Sequence, residues 1–217
     1  MKVSVIIPTF NHENYISSCV RSLLNQDLNY KKDFEIIVVN DGSIDNTSKV
    51  LRPFMSDIIY FENNENKGLP YSVNRGIREA KGRYIVRVDS DDFVSEKFIS
   101  TLLFYMENYP ISDAVSCDYF LIDDKDSIIS RHSADEEPIA CGIMFNRDHM
   151  LNLGLYNEDF LRLEDIEFRE RFSERYTIGN LPLPLYRYRR HNSNITNNKL
   201  EVKHYREKLR IAKRKTR

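Results

Sequence analysis

No stretch of the 217 residues reads GxGxxG, and the segment after the first apolar run, Pro8-Thr9-Phe10-Asn11-His12, holds no glycine. The first absence excludes a Rossmann dinucleotide site, whose glycines let backbone approach a pyrophosphate. The second argues against a sugar nucleotidyltransferase, which needs a Gly-rich loop there to hold a triphosphate. Cysteine is scarce and odd in number. Cys19, Cys117 and Cys141 lie in apolar contexts without CxxC spacing, and read as free buried thiols of a reducing compartment rather than as disulfides or metal ligands. No apolar run approaches ~18 residues, so no segment is expected to span a bilayer. VSVIIP, near the N-terminus, is too short for a signal-peptide core, and the expected location is the cytoplasm. With only seven Gly and seven Pro, the chain is neither fibrous nor low-complexity, and 41% hydrophobic residues supply the core of one ordinary domain.

The net charge of -1 conceals an asymmetry. Nine Lys and Arg fall within Lys199 to Arg217 against Glu201 and Glu207, which leaves 23 basic and 31 acidic residues in the first 198. That is not the uniformly basic surface of a nucleic-acid binder. Val202, Tyr205, Leu209 and Ala212 share one helical face in this tail. A basic amphipathic helix of that kind can lie on an anionic membrane, and the competing reading is a helix packed on its own domain.

Periodicity divides the rest. Val3 to Pro8 is a buried strand; Tyr15, Ile16, Cys19, Val20, Leu23 and Leu24 form a helical stripe; Phe34 to Val39 is a second strand that stops at Asn40-Asp41-Gly42-Ser43. A helix from about Asp45 to Pro53, a strand at Ile58 to Phe61, and a helix from Pro70 that Gly82 caps follow in turn. Strands alternating with helices predict a mostly parallel sheet flanked by helices. The later half is less regular: an apolar run at Ala114 to Ile122 before a hairpin turn at Asp123 to Asp126, a strand within Ile139 to Phe145, a charged helix over Glu164 to Ser173, and a Pro-containing strand, Leu181 to Tyr188, predicted at a sheet edge because Pro donates no ladder bond.

The centre of the chain is Arg83 to Phe93, RYIVRVDSDDF, where a buried strand breaks into Asp89, Asp91 and Asp92. Unit charges a few Å apart repel by about 4 kcal/mol at an effective dielectric of 20, so a cation among them is one remedy. Oxygen ligands of this kind suit Mg²⁺ or Mn²⁺ held for a phosphorylated ligand. The plainer reading is an acidic turn before the next helix. Position favours the first, because ligands of such sheets bind beyond strand C-termini, where Thr9, Asn11, Asp41 and Asp89 to Asp92 all fall. A dehalogenase-type phosphatase also uses Asp-x-Asp, but on its first strand, which here ends in Thr9.

VSVIIPTFN, VVNDGSIDNT, NKGLPYSVNRGI, GRYIVRVDSDD and LEDIEF, in that order, resemble the successive signatures of family 2 glycosyltransferases of GT-A fold, over about residues 1 to 196. The resemblance implies transfer of a sugar from a nucleoside diphosphate sugar, most simply a UDP-sugar, to a hydroxyl with inversion. By match to the family motifs, Thr9 and Asn11 meet the base, Asp41 accepts from the uracil imide, Asp89 binds ribose, Asp91 holds Mn²⁺ or Mg²⁺ on the diphosphate, and Asp165 is the general base. His191 resembles a late family histidine that joins the metal or diphosphate. Where many members carry Arg before Asn this chain has Val73, so Arg75, Lys67 or Arg190 is expected to serve the diphosphate instead.

The division expected is 1–198 as the GT-A domain, with 1–93 binding nucleotide and 94–198 a smaller mixed acceptor region, and 199–217 as a basic C-terminal helix. The partners are a nucleotide-sugar donor and a glycan or lipid-linked acceptor, as in cell-surface polysaccharide synthesis, with peripheral contact at the inner membrane face through 199–217. The alternative is a silent nucleotide-sugar-binding subunit, which could dispense with Asp165.

Overall fold

The computed structural model describes residues 1–109, 111–191, 194 and 199–215, with backbone alone for 199 and 212–215. Its elements are β1 (Val3–Thr9), α1 (Ile16–Leu24), β2 (Phe34–Asn40), α2 (Thr47–Leu51) running into a 3-10 turn (Arg52–Phe54), β3 (Ile59–Glu62), α3 (Leu69–Glu79), β4 (Tyr84–Arg87), β5 (Phe93–Val94), α4 (Phe98–Asn108), β6 (Ala114–Ile122), β7 (Ile128–His132), β8 (Ile143–Asn146), α5 (Arg147–Asn152), α6 (Glu164–Ser173), β9 (Ile178–Arg189) and α7 (Lys199–Lys215).

One nine-stranded sheet runs β3-β2-β1-β4-β8-β6-β9-β5, with β7 on β6. The first four strands are parallel, Thr9 standing beside Asn40 and Ile6 beside Arg87. Beyond them the prediction of a mostly parallel sheet is corrected: β8 runs antiparallel to both β4 and β6, β7 and β5 are antiparallel to their neighbours, and only β6 and β9 pair in parallel. The sheet is therefore mixed. Strand order reverses at β1, which has β2 on one side and β4 on the other, so the C-termini of β1 and β4 open a crevice between them.

Successive side chains of β1 enter opposite cores, which is why its run is apolar at nearly every position. Val3, Val5 and Ile7 pack with α1 and α4, whereas Ile6 joins Val73 and Ile77 of α3 and Phe168 and Phe172 of α6. Arg87 follows Ile85 by two on β4 and so faces the α3 and α6 side.

Two smaller expectations also give way. β9 is not the terminal strand, since β5 pairs with it at Tyr186 and Arg187; its prolines precede that pairing, where β9 is laddered to β6 alone and the register shifts on either side of Asp118. Gly82 does not cap α3, which ends at Ala80. Its demand is close approach, because a Cβ there would lie 2.5 Å from the Ser4 backbone nitrogen.

α7 turns its apolar stripe inward. Leu209 is buried and Val202 and Tyr205 are half-buried; the Tyr205 ring lies 6.1 Å from that of Phe160, and Glu201 pairs with Arg162 at 2.8 Å. Lys203, Arg206 and Arg210 point outward. Ala212 lies outside the described side chains. Among the described residues no helix is long and apolar enough to cross a membrane.

Candidate active site

A cleft of about 730 Å³ opens over the β1/β4 crevice, lined by Thr9 to His12, Asp41, Asn66, Gly68, Asp89 to Asp91, Leu163 to Ile166, Arg162, Arg169, Asn194 and Val202 among others. Six of the predicted site residues, Thr9, Asn11, Asp41, Asp89, Asp91 and Asp165, meet there.

Each is fixed by its own local chemistry. Thr9 ends β1 with its hydroxyl oxygen buried and without a hydrogen-bond partner. Leaving such a group unmet costs about 1–3 kcal/mol, which is the mark of a site awaiting an acceptor or donor. Asn11, at φ 55°, clips the β1 loop to the β2 loop: its N–H donates to the Ser43 hydroxyl and its side-chain carbonyl accepts from the Ile44 N–H, both at 2.9 Å. Asp41 is buried and accepts from the Asn63 amide at 2.6 Å and from the Lys67 and Gly68 N–H groups at 2.9 Å. A carboxylate has about four acceptor positions, so one stays open to a ligand. Gly42 makes this turn possible, since φ is +71° and a Cβ would meet the Glu65 backbone at 2.6 Å.

After β4 the three carboxylates have different fates. Asp89 is held by the Arg87 fork, Nε to Oδ1 at 2.6 Å and Nη2 to Oδ2 at 2.9 Å. Asp92 is buried, accepting from the Tyr186 hydroxyl and the Arg189 N–H at 2.7 Å each; burial, with Asp91 and Asp89 alongside, pushes its carboxyl well above the usual range. Asp91 meets Nε2 of His191 at 2.8 Å. Burial works to raise Asp91, but the His191 hydrogen bond and nearby His12 outweigh it and hold the carboxyl below its ordinary value. His191 itself is buried, its ring stacked on Tyr15 at 5.0 Å and its backbone N–H donated to the Asn194 side-chain carbonyl at 2.6 Å.

Two groups could be offered a cation. Ligand atoms of Asp89, Asp92 and Cys141 lie within 4.8 Å of one another. That set fits Mg²⁺ or Mn²⁺ poorly: Arg87 holds both Asp89 oxygens, Asp92 is already satisfied, and burial raises the Cys141 thiol well above its normal pKa, so it stays protonated. Asp91 with His191 fits better, since Asp91 lines the cleft with its carboxyl held below the ordinary value, and the His191 imidazole lies 2.8 Å from it.

Arg75 does not reach the cleft, which corrects its expected role. Two positions from buried Val73, it lies on the far side of α3, donating to the Glu62 carbonyl at 2.8 Å and to the Asn63 side-chain carbonyl, over the Phe61 ring. Lys67 is tied to Glu65 at the surface. Among the described residues, the cationic side chains that line the cleft are Arg87, Arg162 and Arg169, none of which sequence reasoning singled out. Arg162 has Nη2 on Glu201 and its Nε buried without a partner. His12, also passed over, places Nδ1 2.6 Å from the Ser90 hydroxyl. Its signal was its place one residue past Asn11 at a strand end.

Across the cleft, α6 is preceded by its N-cap Leu163, a non-glycine residue at φ 61°. Such strain persists where surrounding structure holds it, often at functional sites. Glu164 and Asp165 then diverge as helical geometry requires. Glu164 is buried on Arg87 at 2.9 Å; Asp165 lines the cleft and accepts from Arg169 at 2.9 Å. The macrodipole favours acidic residues in this first turn, and that alone accounts for their presence but not for their different partners.

A family model described as "Glycosyl transferase family 2" matches residues 4–177. "Putative glycosyltransferase EpsH" of Bacillus subtilis is 30% identical over 237 residues, covering 95% of this chain and 64% of its own. "Poly(ribitol-phosphate) beta-glucosyltransferase" of Bacillus spizizenii is 40% identical over 113 residues, 50% of this chain and 18% of the enzyme. The chain thus spans well under two thirds of several curated relatives. Among solved structures, S. aureus TarS 1–349 in complex with UDP-GlcNAc superposes with TM-score 0.78 at 20% identity over 91% of this chain and 61% of that one. Mannosyltransferase PcManGT from Pyrobaculum calidifontis, in complex with GDP-Man and Mn²⁺, gives 0.74 at 19% over 93% and 60%. These two likenesses establish a GT-A-related fold. With four fifths of its length inside the family match, the chain belongs to glycosyl transferase family 2.

Proposed function

We propose that the chain is an inverting glycosyltransferase that moves a sugar from a nucleoside diphosphate sugar, a UDP-sugar by preference, to a hydroxyl of a glycan or lipid-linked acceptor in cell-surface polysaccharide synthesis. The observation that carries this reading is one cleft holding Asp41 from the end of β2, Asp89 and Asp91 from the end of β4, the unpartnered Thr9 hydroxyl, and Asp165 on α6. Residues 1–93 serve as the donor half and 94–198 as the acceptor half, with His191 and Asn194 reaching back to Asp91.

In this reading Thr9, Asn11 and the open position on Asp41 receive the base, and Asp89, kept facing the cleft by Arg87, receives the ribose hydroxyls. Asp91 and His191 would hold Mn²⁺ or Mg²⁺, which would supply positive charge to the departing diphosphate. Arg162, with its open Nε, takes the role expected of Arg75. Asp165 removes the acceptor proton as its oxygen attacks the anomeric carbon. Arg169, 2.9 Å from that carboxylate, holds it in place, and the proton must go to a group that does not also hold the leaving diphosphate. The UDP-GlcNAc and GDP-Man with Mn²⁺ complexes of proteins sharing this fold support the donor class.

The protein is proposed to work in the cytoplasm, with any contact at the inner membrane face made by the outward basic residues of α7. The test is a thermal-shift panel of UDP, GDP and dTDP sugars with Mn²⁺, in which the true donor at 100 times its Kd adds ~2.7 kcal/mol of stability. Release of UDP from the donor that binds then separates the enzyme from a silent binding subunit, which would bind but never turn over.

A further inference from the structure

Arg87 is a fully charged residue inside an otherwise apolar strand, 5% exposed, with one guanidinium shared between Asp89 and Glu164. Burying such a triad brings little net stability, because desolvation offsets most of the attraction and apolar side chains of equal volume do as well or better. What the triad does supply is a fixed geometry. Two parallel bonds lock the Asp89 carboxylate at 2.6 and 2.9 Å, and Nη1 of the same planar group holds Glu164 at 2.9 Å, 77 residues away on another element. The start of α6 needs such an anchor: its N-cap residue, Leu163, is left-handed and offers no side-chain cap, so Glu164 is what ties the first turn to the sheet.

We propose that Arg87 is a positioning residue that couples the two sides of the cleft, transmitting occupancy at Asp89 to the helix that carries Asp165. This rests on the donor reading above. A ribose hydroxyl donating to Asp89 draws on a carboxylate already shared with the fork. The guanidinium, rigid and planar where a lysine is neither, passes that change to Glu164 and so orders the turn holding Asp165.

Calorimetry and hydrogen exchange on the full chain, with UDP and Mn²⁺ as the probe, test it. In the parent, UDP should slow amide exchange across 164–173. Arg87→Lys keeps the charge but loses the fork, so UDP affinity should fall about 10-fold. At saturating UDP the slowing in α6 should also vanish. In an Asp89→Asn background the same substitution should change affinity by less than about 2-fold, the scatter of independent sites. Should Arg87→Lys fail to fold, Glu164→Gln cuts the tie from the other end and should abolish the slowing while UDP still binds.

A merely structural Arg87 would lower Tm yet leave the slowing intact. The proposal is overturned by no slowing in the parent, by slowing that survives in either variant at saturation, or by full additivity with Asp89→Asn. A parent that binds no UDP overturns the donor reading and the coupling with it. A parent that loses UDP on Asp89→Asn but shows none of the α6 effects overturns the coupling alone.

Discussion

Nε2 of His191 lies 2.8 Å from Oδ2 of Asp91, joining residues 100 positions apart at the mouth of the β1/β4 crevice. In the proposed reading this pair holds the divalent cation, because Asp89 is bonded by Arg87 and Asp92 by Tyr186 and Arg189. Asp91→Asn should therefore remove the Mn²⁺ dependence of UDP binding, leaving the weak affinity that the parent shows in EDTA. Titration calorimetry with and without EDTA checks this, and equal binding in all four conditions would move the metal elsewhere.

Gly42 should tolerate no side chain. Both the +71° φ and the 2.6 Å approach to the Glu65 backbone oppose a Cβ, so Gly42→Ala is expected to cost about 1–3 kcal/mol and to loosen the loop that holds Asp41. Urea unfolding gives the stability, and UDP affinity measured on the folded fraction should fall with it.

Asp45 pins the same region from the other side, accepting from the Thr47 N–H at 2.9 Å and the Glu13 N–H at 3.0 Å. Burial tends to raise its pKa, but the Thr47 bonds outweigh that and the folded value is lowered. A lowered folded pKa means the unfolded chain takes up the proton first as pH falls. The contribution is thus complete above the ordinary carboxylate value of about 3.9 and is lost as pH drops through the folded pKa. For this partly solvated group Asp45→Ala should cost about 0.5–1 kcal/mol at pH 7. The gap between parent and variant urea midpoints should narrow below pH ~4.

The parallel half of the sheet was legible because each strand there is a short apolar run closed by a turn cluster, and because Asp41, Asp89 and Asp91 stand at the ends of those runs. The mixed half was not, since β8 and β9 find their partners through contacts tens of residues away that no local period encodes. Arg75 was misassigned for a reason the sequence did contain: two residues from Val73 on a helix is about 200° away, on the opposite face. Arg87 carried a signal too, for a charge inside a buried strand demands a counter-charge, and Asp89 and Glu164 together answer it.

α7 presents its apolar stripe to its own domain, so membrane attachment through that stripe would require undocking Leu209 and Tyr205. Binding to anionic vesicles should run instead through the exposed Lys203, Arg206 and Arg210, at about 1 kcal/mol per basic residue near the surface. Flotation should then be lost at about 0.5 M salt and on truncation after Asn198. Flotation that resists salt would show insertion of the stripe, and the truncated chain should also melt earlier, because Leu209 leaves a buried position.

The separation of enzyme from binding module turns on Asp165. It lines the cleft on an element other than the one carrying Asp91, paired with Arg169 at 2.9 Å, whereas Glu164 next to it is withdrawn onto Arg87. Burial raises the Glu164 carboxyl even as Arg87 pulls it down; Glu164 also borders the cleft, but its Oε1 is bonded to Nη1 of Arg87. Removing a general base costs ~10² to 10⁴ in rate and leaves donor binding nearly intact. Asp165→Asn, close in size and uncharged, should bind UDP and Mn²⁺ like the parent while transferring almost no sugar. Glu164→Gln should lose far less transfer at saturating donor, because it disturbs the alignment of α6 rather than the proton acceptor itself. The reverse ranking would move the base by one residue; a parent that turns over no donor with any acceptor would leave a nucleotide-sugar-binding subunit.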